Sequence, residues 1–177
     1  MQTHYINTEE FELKKADIRA GDSVLISGTV YTARDAAHKR LFELLDSGKE
    51  LPFDLKGAFI YYAGPTLAAP GKVIGSCGPT TSVRMDGFTP RLLDLGLGAV
   101  IGKGGRKDDV RESFLKNDAV YFAAVGGAGA LYSECITSCE VIAFEELGCE
   151  SVKKLTVKDM PVYCAYDIYG NSIYDRK

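Results

Sequence analysis

The chain of 177 residues is 46% hydrophobic and 25% charged, the balance of an ordinary globular protein, and is long enough to bury a substantial core as one domain over residues 1–177. Its formal net charge of −3 argues against nucleic acid as the main partner, because neutralising phosphates needs a basic surface. No apolar stretch approaches the roughly 20 residues that span a bilayer, and residues 1–7 lack the basic start and apolar core of a signal peptide, so no membrane association and a cytoplasmic location are expected.

Residues 1–20 open with a polar-apolar alternation through His4, Ile6 and Phe11, then turn charged at Lys14-Lys15-Ala16-Asp17, the pattern of an edge strand and a surface turn. After the turn signal Gly21-Asp22, the β-branched run over 23–30 predicts a buried strand. Between 33 and 46 the period becomes helical: Ala37, Leu41, Leu44 and Leu45 share a face, and Ser47-Gly48 ends the helix. Arg34, Asp35 and His38 fall at its start, where free backbone N–H groups favour an anion. A lone histidine in that position is more often structural than catalytic.

Residues 57–63 predict a second strand, and a Pro/Gly-containing loop from Gly64-Pro65 reaches Lys72. Val73-Ile74-Gly75 then leads into Gly78-Pro79-Thr80-Thr81-Ser82-Val83-Arg84-Met85-Asp86, a polar loop leaving an apolar run. Thr80, Thr81 and Ser82 either cap the helix that follows or carry chemistry, since binding residues concentrate in such loops. That helix is expected over 86–95, interrupted near Thr89-Pro90. A short strand over 99–101 ends in Gly102-Lys103-Gly104-Gly105, which lacks the length and the Lys-Ser/Thr order of a nucleotide-binding P-loop.

An amphipathic helix over 107–116 and a strand over 119–125 follow, and a helix is expected to start over 131–136. Residues 141–144 predict a short strand, and 155–157 with 162–169 predict a terminal antiparallel pair. Strands alternating with helices through the middle imply an α/β fold with a mostly parallel sheet. The five cysteines are odd in number and mostly sit in apolar runs, as reduced core residues do. Cys135 and Cys139 are spaced to share a helix face, but no second pair or histidine cluster completes a metal site, and none is expected.

Arg34, Arg84 and Lys103 all lie in loops that leave predicted strands, and ligands of open parallel sheets bind at the carboxyl ends of the strands. Three converging cations in an acidic protein suit a small dicarboxylate, with each arginine able to grip a carboxylate on two N–H groups. The alternative is that Asp35, Asp86 and Asp108 simply neutralise them at the surface.

The chain resembles the β subunit, equivalent to the C-terminal domain, of the iron-sulfur class I fumarases and the related L(+)-tartrate dehydratases. The resemblance is carried by Gly21-Asp22, Gly28-Thr29, the run Thr32-Ala33-Arg34-Asp35-Ala36-Ala37-His38, Ala63-Gly64-Pro65, the whole 78–86 motif, Gly102-Lys103-Gly104 and Glu146-Leu147-Gly148, in that order over nearly the whole chain. It implies a three-layer β/β/α swivelling domain, with a mostly parallel central sheet and a second, antiparallel sheet. It also implies reversible addition of water across the double bond of a dicarboxylate, and a 4Fe-4S cluster carried by a partner α subunit, with no cluster ligand in this chain.

By the same resemblance Thr80 is the catalytic base, while Arg34, Arg84 and Lys103 bind substrate carboxylates. Asp35 and Asp86 are expected to orient the arginines, with His38 and Thr81 in supporting places. An unperturbed threonine hydroxyl is too weak an acid for this work at neutral pH, so a desolvated, positive site must activate it. The acid that protonates the leaving hydroxyl is expected from the α subunit, in an (αβ)2 hetero-oligomer whose β subunit is inactive alone. The Arg84-Met85-Asp86 form favours fumarate and malate over tartrate. A rival of another class is a non-catalytic dicarboxylate-binding or assembly module.

Overall fold

A computed structural model describes residues 1–175. The elements, in chain order, are β1 (Thr3–Asn7), α1 (Phe11–Lys14), β2 (Ser23–Thr32), α2 (Asp35–Asp46), β3 (Phe59–Tyr61), α3 (Thr89–Asp94), β4 (Ala99–Gly102), α4 (Asp108–Lys116), β5 (Val120–Ala123), α5 (Gly129–Glu134), β6 (Ile136–Ala143) and β7 (Val152–Tyr166), with short 3-10 turns between some of them. The fold is α/β, built on a mixed seven-stranded sheet of order β1-β2-β3-β4-β5-β7-β6. β1 to β5 pair in parallel, and β7 runs antiparallel to β2, β5 and β6. Because β7 pairs with both β2 and β5, the sheet returns on itself.

The central strands are apolar at every position because both of their faces are covered. Phe59, Tyr61, Ala99, Ile101, Val120 and Phe122 point into one core, shared with Val24, Ile26 and Val30 of β2 and Leu155, Met160 and Val162 of β7. Their neighbours Ile60, Val100 and Tyr121 point the other way, against Ala37 and Leu41 of α2, Leu92 and Leu93 of α3, and Val110 and Phe114 of α4. Each fully buried leucine or phenylalanine contributes about 2–3 kcal/mol relative to exposure, so helix docking follows from one stripe per helix. Parallel pairing places the loops after β2, β3 and β4 at one end of the sheet.

Four expectations need correction. The terminal pair of strands is one strand of 15 residues: Asp159, between the two expected segments, takes φ 50° as a bulge and its N–H donates to Ser27 Oγ at 3.0 Å. β7 therefore continues along β2 past a register shift between Ile26 and Gly28. The helix over 86–95 is a 3-10 turn at Ser82–Met85 followed by α3, with Pro90 in the first turn of α3, where its missing N–H costs nothing. β6 begins at Ile136 rather than 141, its exposed Thr137, Ser138 and Glu140 having hidden the strand. Cys135 ends α5 while Cys139 lies on β6, so the two share no helix face.

Among the described residues no helix is long and apolar enough to cross a membrane.

Candidate functional site at the strand ends

The first half of the 78–86 motif crosses the ends of β3 and β4 on two isolated bridges before its 3-10 turn. The Thr80 N–H donates to the Tyr62 carbonyl at 2.7 Å, and the Ser82 N–H donates to the Lys103 carbonyl at 2.9 Å. Bridges pair Ala63 with Pro79 and Thr81 with Lys103. Side chains then lock the register: the Lys103 N–H donates to Ser82 Oγ at 2.9 Å, and the Tyr121 hydroxyl sits 2.9 Å from the same oxygen while donating to the Gly104 carbonyl at 2.7 Å. Burial pushes the Tyr121 hydroxyl well up from its ordinary value, which keeps it a neutral donor.

Arg34 directly precedes α2 and carries the loop after β2. The 3-10 turn brings Arg84 over Asp35, and the two are ion-paired, Nε donating to Oδ1 at 3.0 Å with Nη2 2.9 Å from Oδ2. Arg34 Nη2 lies 3.2 Å from Glu150 Oε1, with its Nε 3.9 Å from Asp35 Oδ2. Arg34, Asp35 and Arg84 thus form one chain of charges, while Thr80, Thr81 and Lys103 are joined through backbone. Arg84 is half exposed at 50% and Arg34 is mostly covered at 20%. Lys103 runs beside Gly126, where a Cβ would come within 3.0 Å of its Cδ.

Asp86 does not orient Arg34 or Arg84. Its Oδ1 accepts from Arg106 Nε at 2.5 Å and its Oδ2 from the Lys107 N–H at 3.1 Å, with both side chains of the Asp86–Arg106 pair buried. Arg106 also donates to Thr89 Oγ1 at 2.6 Å and lies against the rings of Tyr62, Phe114 and Tyr121. Sequence reasoning missed this arginine, which follows the glycines at the end of β4. Met85 is buried as well, so the Arg84-Met85-Asp86 tripeptide exposes only its arginine at the site.

His38 is wholly buried against Tyr62 and Phe88. Its Nδ1–H donates to the Arg34 carbonyl at 2.8 Å, which leaves Nε2 without a hydrogen-bond partner among the described residues. Burial drives its pKa down to about 4. Since the unfolded chain takes up that proton near pH 6.5, folding stability is fully present above pH 6.5 and falls as pH drops toward 4, by roughly 3 kcal/mol from this group. Urea titrations between pH 4 and 7 are expected to show that slope in the wild type and to lose it in His38→Leu; an equal slope in both would refute the assignment.

Among the described residues no three His, Cys, Asp or Glu side chains gather as a metal site. Burial raises the Cys77 thiol to about 12, as for a core cysteine.

A sequence model of the family described as Fumarase C-terminus matches residues 2–177. A Methanocaldococcus jannaschii protein named "Putative L(+)-tartrate dehydratase subunit beta" is 39% identical over 173 residues, spanning 93% of this chain and 89% of that protein. The Escherichia coli anaerobic class I fumarate hydratase is 38% identical over 153 residues, 85% of this chain but 28% of that enzyme. Fumarate hydratase 2 of Leishmania major is 36% identical over 158 residues, again 28% of its length.

Proposed function

The chain belongs to the fumarase C-terminus family, and on that premise we propose that it is the β subunit of a heteromeric hydro-lyase that interconverts fumarate and L-malate. The observation that carries this reading is the arrival of Arg34, Thr80 and Lys103 at the ends of three neighbouring parallel strands, with Arg84 beside them. Two arginines and a lysine bind the two carboxylates. Their field lowers the cost of an alkoxide on Thr80, which takes the proton from the substrate carbon. Thr81 and Asp35 support this set, Asp35 by holding Arg84. The sheet with its helix layer and its β6–β7 ribbon suits the three-layer swivelling arrangement.

We place the 4Fe-4S cluster on an α subunit, together with the acid that serves the substrate hydroxyl. The chain spans 28% of the length of the two fumarate hydratases named above; the name of the Methanocaldococcus relative, a subunit beta, supports a partner polypeptide, which we place in an (αβ)2 assembly. A second substrate, L(+)-tartrate, is favoured by the Methanocaldococcus relative, whose length this chain nearly equals. Anaerobic turnover of fumarate, L-malate and both tartrates decides between them. Activity is expected only when the chain is co-purified with its α subunit; rapid hydration of fumarate by the pure chain would defeat the reading.

A further inference from the structure

Glu150 is held on both carboxylate oxygens. Oε2 accepts the Ala36 N–H in the first turn of α2 at 2.9 Å, and Oε1 lies 3.2 Å from Arg34 Nη2. The turn that carries it is braced from beneath by Lys153, a lysine of β7 buried to 8% exposure. Its ammonium donates to Ser151 Oγ at 2.6 Å and to the Gly148 carbonyl at 2.9 Å, with the Cys149 carbonyl at 3.3 Å. Gly148 itself takes φ 59° with ψ −115°, a conformation a side chain would strain.

On its other side Arg34 lies flat along Gly64, where a Cβ would come within 2.9 Å of Nη1 and 3.0 Å of Cδ. The guanidinium is therefore confined between a carboxylate and a bare stretch of backbone. A buried lysine with no carboxylate partner among the described residues, spent entirely on oxygens of one turn, is a costly device for merely closing a loop. It makes sense if the turn must hold Glu150 at a fixed height.

We propose that Glu150 is a positioning residue for substrate binding, fixing the Arg34 guanidinium along Gly64 so that its remaining N–H groups meet a substrate carboxylate without reordering. The inference rests on the reading of Arg34 as a carboxylate ligand. Preorganisation of this kind raises affinity by removing the ordering cost of a long side chain, so its loss falls on KM and Kd rather than on kcat.

Glu150→Gln separates positioning from capping, because the amide oxygen still accepts the Ala36 N–H while the ion pair to Arg34 is lost. In the assembled αβ enzyme, this variant is expected to raise KM for L-malate, and its calorimetric Kd, by roughly tenfold, with kcat within about threefold. The melting temperature of the full chain should stay within about 2 °C, Glu150→Asp should recover part of the affinity, and Glu150→Gln should have no further effect on Kd in an Arg34→Ala background. An unchanged Kd in Glu150→Gln, with Arg34→Ala weakened, overturns the inference and leaves the role of Arg34 intact. An unchanged Kd in Arg34→Ala overturns that role and the inference with it. A loss of affinity that persists in the Arg34→Ala background makes Glu150 a brace of the fold only, and also overturns the proposal.

Discussion

Thr80→Ala is expected to lower turnover of the assembled enzyme by roughly a hundred- to ten-thousandfold while moving KM by less than about threefold. The segment is held by main chain, the Thr80 N–H on the Tyr62 carbonyl and Pro79 bridged to Ala63, and alanine keeps both contacts. What the variant removes is a hydroxyl in a partly buried position, next to the strand end that carries Lys103. A group needed only when the proton leaves carbon is missed in the transition state and not in the ground state, so kcat and kcat/KM fall together. Thr80→Ser should recover much of the rate, because it restores the hydroxyl on the same backbone. Near-normal turnover in Thr80→Ala would remove Thr80 from the chemistry. A non-catalytic module predicts no turnover before the change and no effect of it on dicarboxylate binding.

The cations of the site were legible because each follows an apolar run, and parallel strands deliver the residues that follow them to one end of the sheet. Arg34, Thr80, Arg84 and Lys103 are singled out on that ground and on a motif order shared with a family, and Asp35 is ion-paired to Arg84. Their catalytic roles are a separate matter, left to the variants proposed above. Pairings between distant residues were not legible. Asp86 is two residues from Arg84 in sequence, yet the 3-10 turn sends the two side chains to opposite sides, one to solvent and one under Arg106. Glu150 was equally hidden, since nothing in Leu147-Gly148-Cys149 announces a carboxylate that returns to the start of α2. The unbroken length of β7 was hidden for a related reason: the break expected between 157 and 162 is bridged by a bulge at Asp159 against a full-length partner strand in β2.

The second large effect concerns stability. Asp86→Ala is expected to cost about 3–5 kcal/mol, because it strands a buried guanidinium, and to lower the melting temperature by roughly 10 °C in a chain of this size. Arg106 would keep Thr89 Oγ1 and three aromatic faces, none of which carries a full negative charge, and the Lys107 N–H would lose its acceptor too. Arg106→Met in the same background should restore a large part of the loss, since replacing both partners by apolar groups removes the desolvation penalty along with the pair. Guanidinium unfolding of the two single variants and the double variant gives the coupling directly, and additive losses would show that the pair acts as two independent residues. The expected coupling also bears on the site. Asp86 lies at the end of the motif that begins at Gly78, and Arg106 and Lys107 close the loop that begins at Lys103, so the pair clamps the two segments that bring Thr80 beside the lysine. A buried ion pair is weak at adding stability and good at fixing one arrangement. The double variant should therefore fold nearly as well as the wild type and still bind dicarboxylate more weakly.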